Sequence, residues 1–226
     1  LESGIATQYD DDPDGDAWAP LEADVTLYNH NWFWNPTNGQ KRRSVEELMD
    51  IYYRSAGYGG ILLLNSTPDT TGKIPTADRK RYKALGEEIN RRFSQPIEAK
   101  KTKKSNEIVL KFQKSTAVNH VVIEEDYRQG HRIRDYRIEG KTGNQWQLLA
   151  QGSSVGKKKI DAFPTVTVSE IKLTINRSVN LPLVRNFSAY GVKGYTHKYE
   201  ATESKEWSVC GEWNTNTFKN GRDTIT

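Results

Sequence analysis

The sequence predicts an α/β segment followed by an antiparallel β-sandwich, and three observations carry that prediction. The spacing of apolar residues is helical up to about residue 95 and alternates with period two afterwards. A wholly apolar run, Ile61-Leu62-Leu63-Leu64, stands between two helical patterns. The charge changes sign at the same place: residues 1–95 carry 11 basic and 15 acidic side chains (11 − 15 = −4), and residues 96–226 carry 22 and 14 (22 − 14 = +8).

The elements follow in chain order. Residues 44–57 read as a helix: Ser44 caps it, Glu47 closes a capping box, and Val45, Leu48, Met49, Tyr52 and Ala56 form the stripe. Gly57 is the expected stop. Residues 60–65 read as a strand buried on both faces, the habit of parallel sheets, and Asn65-Ser66-Thr67-Pro68 leaves it as a loop. A second helix is expected from Thr76 to Phe93, with Tyr82, Leu85, Ile89 and Phe93 on one face. Helix, strand, loop, helix is α/β order, but no partner strand for a sheet is evident, so this half looks incomplete.

Pro96 and the run Lys100, Lys101, Lys103, Lys104 read as a linker over 96–104. No aromatic residues interleave with these lysines, so a solvated basic surface is expected rather than a nucleic-acid platform. Over 105–194 short strands are expected at 108–112, 121–125, 133–139, 146–150, 166–175 and 187–192. Gly143-Asn144, Gly152-Ser153 and Pro164 separate them, which argues for a sandwich. Residues 195–226, with Trp207, Trp213 and Asn220-Gly221, read as an extra β element.

The composition excludes several classes. Of the 226 residues 35% are hydrophobic and 27% charged, which supports a packed core and argues against wholesale disorder. No apolar run approaches the roughly 18 residues of a membrane span. The single cysteine, Cys210, rules out an intramolecular disulfide framework, and His30, His120, His131 and His197 show no metal spacing. His120 reads as a bonded core histidine. Gly57-Tyr58-Gly59-Gly60 precedes a strand and so is not a phosphate loop. Asp10-x-Asp12-x-Asp14-Gly15 opens like a calcium loop, but its twelfth position is Leu21 instead of Glu, so an exposed acidic turn is expected. Leu1 in place of Met predicts that the gene product begins upstream, and nothing at the start resembles a signal peptide.

The chemistry-bearing stretch is Trp18-Ala19-Pro20-Leu21-Glu22-Ala23-Asp24, followed by Trp32-Phe33-Trp34. Carboxylates among aromatics suit a sugar site, because C–H faces of a sugar lie on Trp rings and glycoside hydrolysis uses two carboxyl groups. On composition alone, the same residues are expected to form a Trp-rich core with Glu22 in a structural ion pair.

An ordered set of motifs resembles the alpha-L-fucosidases, the family 29 glycoside hydrolases. It comprises Trp18-x-Pro20-x-Glu22-x-Asp24, Trp32-Phe33-Trp34, Ser44-x-Glu46-Glu47-Leu48, Gly59-Gly60-x-Leu62-Leu63-Leu64-Asn65-x-x-Pro68 and Gly72-x-Ile74. Residues 107–192 resemble the discoidin-type, galactose-binding-like sandwich, through Val121-Val122-Ile123-Glu124-Glu125-Asp126, Gly130-x-Arg132 and Tyr136-x-Ile138-x-Gly140. The resemblance implies that residues 1–95 are the C-terminal part of a (β/α)8-like catalytic barrel, with the site at the C-terminal ends of its strands. It implies a retaining enzyme that removes terminal alpha-L-fucose, 1,3/1,4-linked, from oligosaccharides or glycoconjugates. No metal or other cofactor is implied.

The nucleophilic Asp belongs to an earlier strand and is expected in sequence before Leu1. The acid/base role falls on Glu2, in Glu2-Ser3-Gly4-Ile5-Ala6, with Glu22 as the alternative or a supporting group. Trp32, Trp18, Asp24 and Trp34 would contact substrate. The expected partners are a fucosylated glycan and the remaining N-terminal part of the same protein, with no nucleic acid, in a secreted or periplasmic location. A reading from a different class is a non-catalytic carbohydrate-binding sandwich, with Trp146 or Tyr127 holding sugar, attached to an incomplete barrel.

Overall fold

The computed structural model describes residues 22–28, 32–35, 41–128 and 130–196. Its first part is β1 (Glu22–Thr26), α1 (Val45–Arg54), β2 (Ile61–Asn65) and α2 (Thr76–Phe93). The second is β3 (Ala99–Lys103), β4 (Glu107–Glu125), β5 (Ile133–Thr142), β6 (Gln145–Gly152), β7 (Lys159–Ser178) and β8 (Val184–Tyr190).

β1 is the partner strand that the periodicity of the sequence does not reveal. It pairs in parallel with β2, from Glu22↔Ile61 to Thr26↔Asn65. Ala23 and Val25 point one way and are buried; Glu22 and Asp24 point the other and are exposed. Both helices lie on the Ala23–Val25 side. There Leu48, Met49, Ile51 and Leu85 pack with Val25 and Leu27 and with half-buried Leu62, Leu64, Tyr82, Ile89 and Phe93. β2 is therefore not buried on both faces. Ile61 (38%) and Leu63 (43%) stay exposed beside Glu22 and Asp24.

α1 begins where its local chemistry demands. The Ser44 hydroxyl accepts from the Glu47 N–H (3.1 Å), and the Glu47 carboxylate accepts from the Ser44 N–H (2.6 Å). Hydrogen bonding from the Ser44 backbone N–H, and from its side chain, holds the Glu47 carboxyl below the ordinary carboxylate range. Ser44→Ala should lower stability by about 1 kcal/mol, read as a shift in thermal unfolding. At the other end, Gly57 sits where a Cβ would come within 2.4 Å of the Tyr53 carbonyl oxygen, so the turn into β2 requires glycine.

The lysine run expected as a linker is instead the edge strand β3, paired antiparallel with β4 from Ala99↔Phe112 to Lys103↔Ile108. Charge on an edge strand discourages pairing with other chains, which is why a strand here looks like a polar connector. The stretches 108–112 and 121–125, expected as separate strands, are one strand, β4, running past register shifts between Lys111/Thr116 and Val118/His120. Pro164, expected to separate strands, lies inside β7, within the gap between Ala162 and Val166 where the ladder to β4 shifts. Proline is tolerated there because that gap needs no ladder donor. Gly143-Asn144 closes the β5–β6 hairpin between Thr142 and Gln145, with Gly143 at φ 60 as a primed turn requires.

All six strands form one antiparallel sheet, ordered β3-β4-β7-β5-β6, with β8 also on β4. The sheet folds over on itself. Tyr136 on β5 pairs with Ile175 of β7, yet its hydroxyl donates to Asp161 of the same strand (2.8 Å). A straight strand would separate residues 161 and 175 by roughly 46 Å. Both ends of β4 feed one core, with Ile108 and Leu110 alongside Val121 and Ile123.

The two parts are joined at the helix C-termini. Val122, Ile160, Tyr190 and Val192 pack against Tyr52, Tyr53, Phe93 and Tyr195. Tyr53 Oη lies 2.9 Å from Nε2 of fully buried His120, and Arg92 donates to the same oxygen (3.0 Å). Burial pushes the Tyr53 phenol above its ordinary range, against the pull of Arg92. Ile160 N–H donates to the Gly57 carbonyl (2.8 Å). The turn at 57–60 leads into the start of β2, so the sheet is seated at the end of the α/β unit opposite its strand C-termini.

Candidate active site

A parallel βα unit presents its functional groups at strand C-termini, on the loops that follow. After β1 the chain leaves at Tyr28 and returns at Arg42, where the two residues form an antiparallel bridge. Leu27 N–H donates to Asn65 O (2.9 Å), and Arg43 N–H to Leu27 O (2.9 Å). The loop so closed at its base carries Trp32, Phe33 and Trp34. Trp32 (45%) and Phe33 (83%) are exposed, and Trp34 is half-buried. The last residue of β2 reaches across to this loop: Asn65 Nδ2 donates to the Trp32 carbonyl (3.2 Å).

Beneath both loops lies one buried carboxylate, Asp78, in the first turn of α2. It accepts from Tyr28 Oη, from Arg42 Nε and from Ser66 Oγ (2.7 Å). Burial raises its pKa, but those three bonds and the Arg42 charge outweigh burial and leave it below the ordinary range. Burial, the bond to Asp78 and its negative charge push the Tyr28 phenol up to about 12. The arrangement is an ionised acceptor with its donors in place throughout the neutral range. Nothing in the sequence singles out Asp78, since one acid in a helix's first turn reads as ordinary dipole compensation.

Of the residues expected to carry chemistry, Glu22 and Asp24 fall on the same face of β1, about 6.6 Å apart along the strand. Their paired neighbours on β2 are the exposed, apolar Ile61 and Leu63. Trp32 and Trp34 sit on the loop that follows β1, beyond its C-terminal end. Glu2, Trp18 and the acidic stretch 10–16 lie outside the described residues, as does the expected β element beyond Thr196. Among the described residues, no group of three His, Cys, Asp or Glu side chains is placed to hold a metal ion, and no helix is long and apolar enough to cross a membrane. Trp146, weighed as a sugar platform, lies under the Lys172 ammonium, 4.3 Å from the ring centroid.

Residues 4–94 match the family model described as alpha-L-fucosidase. The chain is 42% identical to a putative alpha-L-fucosidase from Bacteroides thetaiotaomicron whose crystal structure superposes with a TM-score of 0.76, covering 80% of this chain and 43% of that one.

The chain belongs to the alpha-L-fucosidase family.

A cover of 80% cannot be met by the α/β part alone, so the likeness extends into the antiparallel sheet. A curated relative, putative alpha-L-fucosidase 1 of Oryza sativa subsp. japonica, is 27% identical over 229 residues, 86% of this chain and 43% of its own length. A family 29 fucosidase from Ruminococcus gnavus, solved in complex with fucose, superposes with a TM-score of 0.70 at 25% identity, covering 80% of this chain and 43% of that one. The chain thus spans about two fifths of the length of these fucosidases.

Proposed function

We propose that this chain is the C-terminal part of a retaining glycoside hydrolase that removes terminal alpha-L-fucose, 1,3/1,4-linked, from oligosaccharides or glycoconjugates. The observation that carries the proposal is the face of β1. Two carboxylates, Glu22 and Asp24, stand beside apolar Ile61 and Leu63, next to a pinned loop that exposes Trp32. A sugar bound there can lay its C–H face on an aromatic ring while its oxygens meet acids. Membership of the family and the fucose complex of the Ruminococcus gnavus relative support the choice of sugar.

The proposed chemistry runs in two displacements. A carboxylate nucleophile, supplied by the rest of the catalytic barrel, attacks the anomeric carbon while an acid protonates the departing glycosidic oxygen. The acid's conjugate base then takes a proton from water, whose oxygen displaces the nucleophile. Glu2 fills the acid/base role in this reading, with Glu22 as its alternative or support. The two carboxyl groups would stand about 5–5.5 Å apart. Trp32, Trp34, Trp18 and Asp24 form the sugar-binding wall, and no metal takes part. The antiparallel sheet, read as discoidin-like, acts as a brace, consistent with its seat on the helix C-termini. The fucosylated glycan is met outside the cytoplasm, in a secreted or periplasmic setting.

The intact enzyme should release fucose from an aryl alpha-L-fucoside, and NMR should see the α-anomer first. No release would defeat the reading, and the β-anomer first would defeat retention.

A further inference from the structure

We propose that Asp78 is a positioning residue for the aromatic wall, a single buried carboxylate that fixes the Trp32 loop over the substrate face. The inference rests on the fucosidase reading above.

Three segments converge on this one side chain. Tyr28 is the point where the chain leaves β1, Arg42 the point where the loop returns, and Ser66 the first residue beyond β2; all three donate to it. The carboxylate itself belongs to a fourth segment, the first turn of α2. Tyr28 and Arg42 also form the bridge that closes the loop's base. The loop's upper part is tied to β2 through Asn65 and the Trp32 carbonyl, and Ser66, next in sequence, is tied to Asp78. Position at Trp32 therefore depends on the β1 exit and the β2 exit keeping one spacing, and Asp78 is the group bonded to both.

Three donors on one buried acceptor leave little freedom, because each bond is charge-assisted and the side chain is wholly buried. A hydrophobic contact would slide; this arrangement has one geometry. Asparagine in the same place keeps one acceptor oxygen, loses the charge and turns an N–H₂ toward a donor. Either the N–H₂ faces Arg42, a donor against a donor, or it faces Tyr28 and Ser66, whose hydroxyls must then turn from donor to acceptor; in both cases the charge-assisted bonds that fix the spacing are lost.

The test uses the intact enzyme and a fucosylated oligosaccharide, with Asp78→Asn, Ser66→Ala, Trp32→Ala and the double variants. Asp78→Asn should raise KM roughly tenfold while kcat stays within about threefold, and Ser66→Ala should do the same more weakly. In the Trp32→Ala background both KM effects should vanish, because there is no wall left to misplace, whereas any loss in Tm should persist. If Asp78→Asn does not fold, Ser66→Ala carries the same comparison. A fall in Tm with KM unchanged would overturn the proposal. So would KM effects that multiply independently of Trp32. Failure of the underlying reading looks different: wild-type enzyme releases no fucose, or Trp32→Ala alone leaves KM unchanged.

Discussion

Replacing the acid/base glutamate by glutamine should lower turnover of a fucosylated oligosaccharide by about a hundredfold or more. The variants are Glu2→Gln and Glu22→Gln, each made in the intact enzyme. Glutamine keeps the size and an acceptor oxygen but cannot give up a proton, so the glycosidic oxygen must leave as an alkoxide. An aryl fucoside with a good leaving group escapes that requirement, and its first displacement should be nearly unimpaired. Its second displacement still needs a base for water. Azide needs none, so added azide should restore turnover and yield alpha-L-fucosyl azide, the anionic nucleophile forming the C–N bond as the enzyme carboxylate departs.

Whichever variant shows both the oligosaccharide loss and the azide recovery carries the acid/base group. The same variant should lose the basic limb of the pH–rate profile, since that limb reports the proton the acid must hold. The other should alter KM alone. Glu22 enters this contest with a known place, on the solvent face of β1 two residues before Asp24. If neither change reaches a hundredfold, both assignments fall.

The parts of this fold that were legible in the sequence are those decided within a few residues. The α1 cap needs only Ser44 and Glu47, and the structure shows both reciprocal bonds. The β5–β6 turn needs only Gly143-Asn144. The α2 stripe of Tyr82, Leu85, Ile89 and Phe93 packs as its spacing requires. What failed was whatever depended on distant partners. β1 alternates as Glu22-Ala23-Asp24-Val25, a pattern diluted by its two acids, and its partner lies beyond a loop and a helix. The division of β4 into two strands and the shortening of β7 to 166–175 follow their bulges, where local alternation breaks while the ladder resumes on the far side.

The candidate site divides the same way. Glu22, Asp24, Trp32 and Trp34 were marked by residue type and order, and the structure sets the first two on one face with the others on the loop that follows. Asp78 was not marked, because its meaning comes from Tyr28, Arg42 and Ser66 arriving from three other segments. Lys159 was hidden in a different way. It closes a run, Lys157-Lys158-Lys159, that reads as solvated surface, yet it is buried at 3% exposure.

That lysine supports the second large effect, at the junction of the two parts. Its Nζ lies 3.3 Å from the centroid of the Tyr58 ring and 3.9 Å from Asp161 Oδ1. Burial pushes its pKa down to about 8, against the pull of the Asp161 charge. Burial likewise raises Asp161, although Lys159 and the Tyr136 hydroxyl favour its ionised form. A buried pair of this kind is expensive to break and inexpensive to replace whole. Lys159→Met alone removes the ammonium but leaves the Asp161 carboxylate buried without its cation, and should be about 3 kcal/mol less stable at pH 7 than a variant that removes both charges. Lys159→Met with Asp161→Asn keeps an acceptor for Tyr136, removes both charges, and should match or exceed the wild type. The pH dependence has a definite sign. An unfolded lysine titrates near 10.4, so between about pH 8 and 10 the unfolded chain binds the proton that the folded chain has released. Wild-type stability should therefore rise relative to the double variant across that window, by on the order of 3 kcal/mol in all, while below pH 8 the penalty for the buried ammonium is fully present. Urea unfolding of both proteins at pH 7, 8, 9 and 10 measures the difference; a gap that stays constant, or widens in favour of the double variant, would show that Lys159 does not carry its charge under the Tyr58 ring at a cost to the fold.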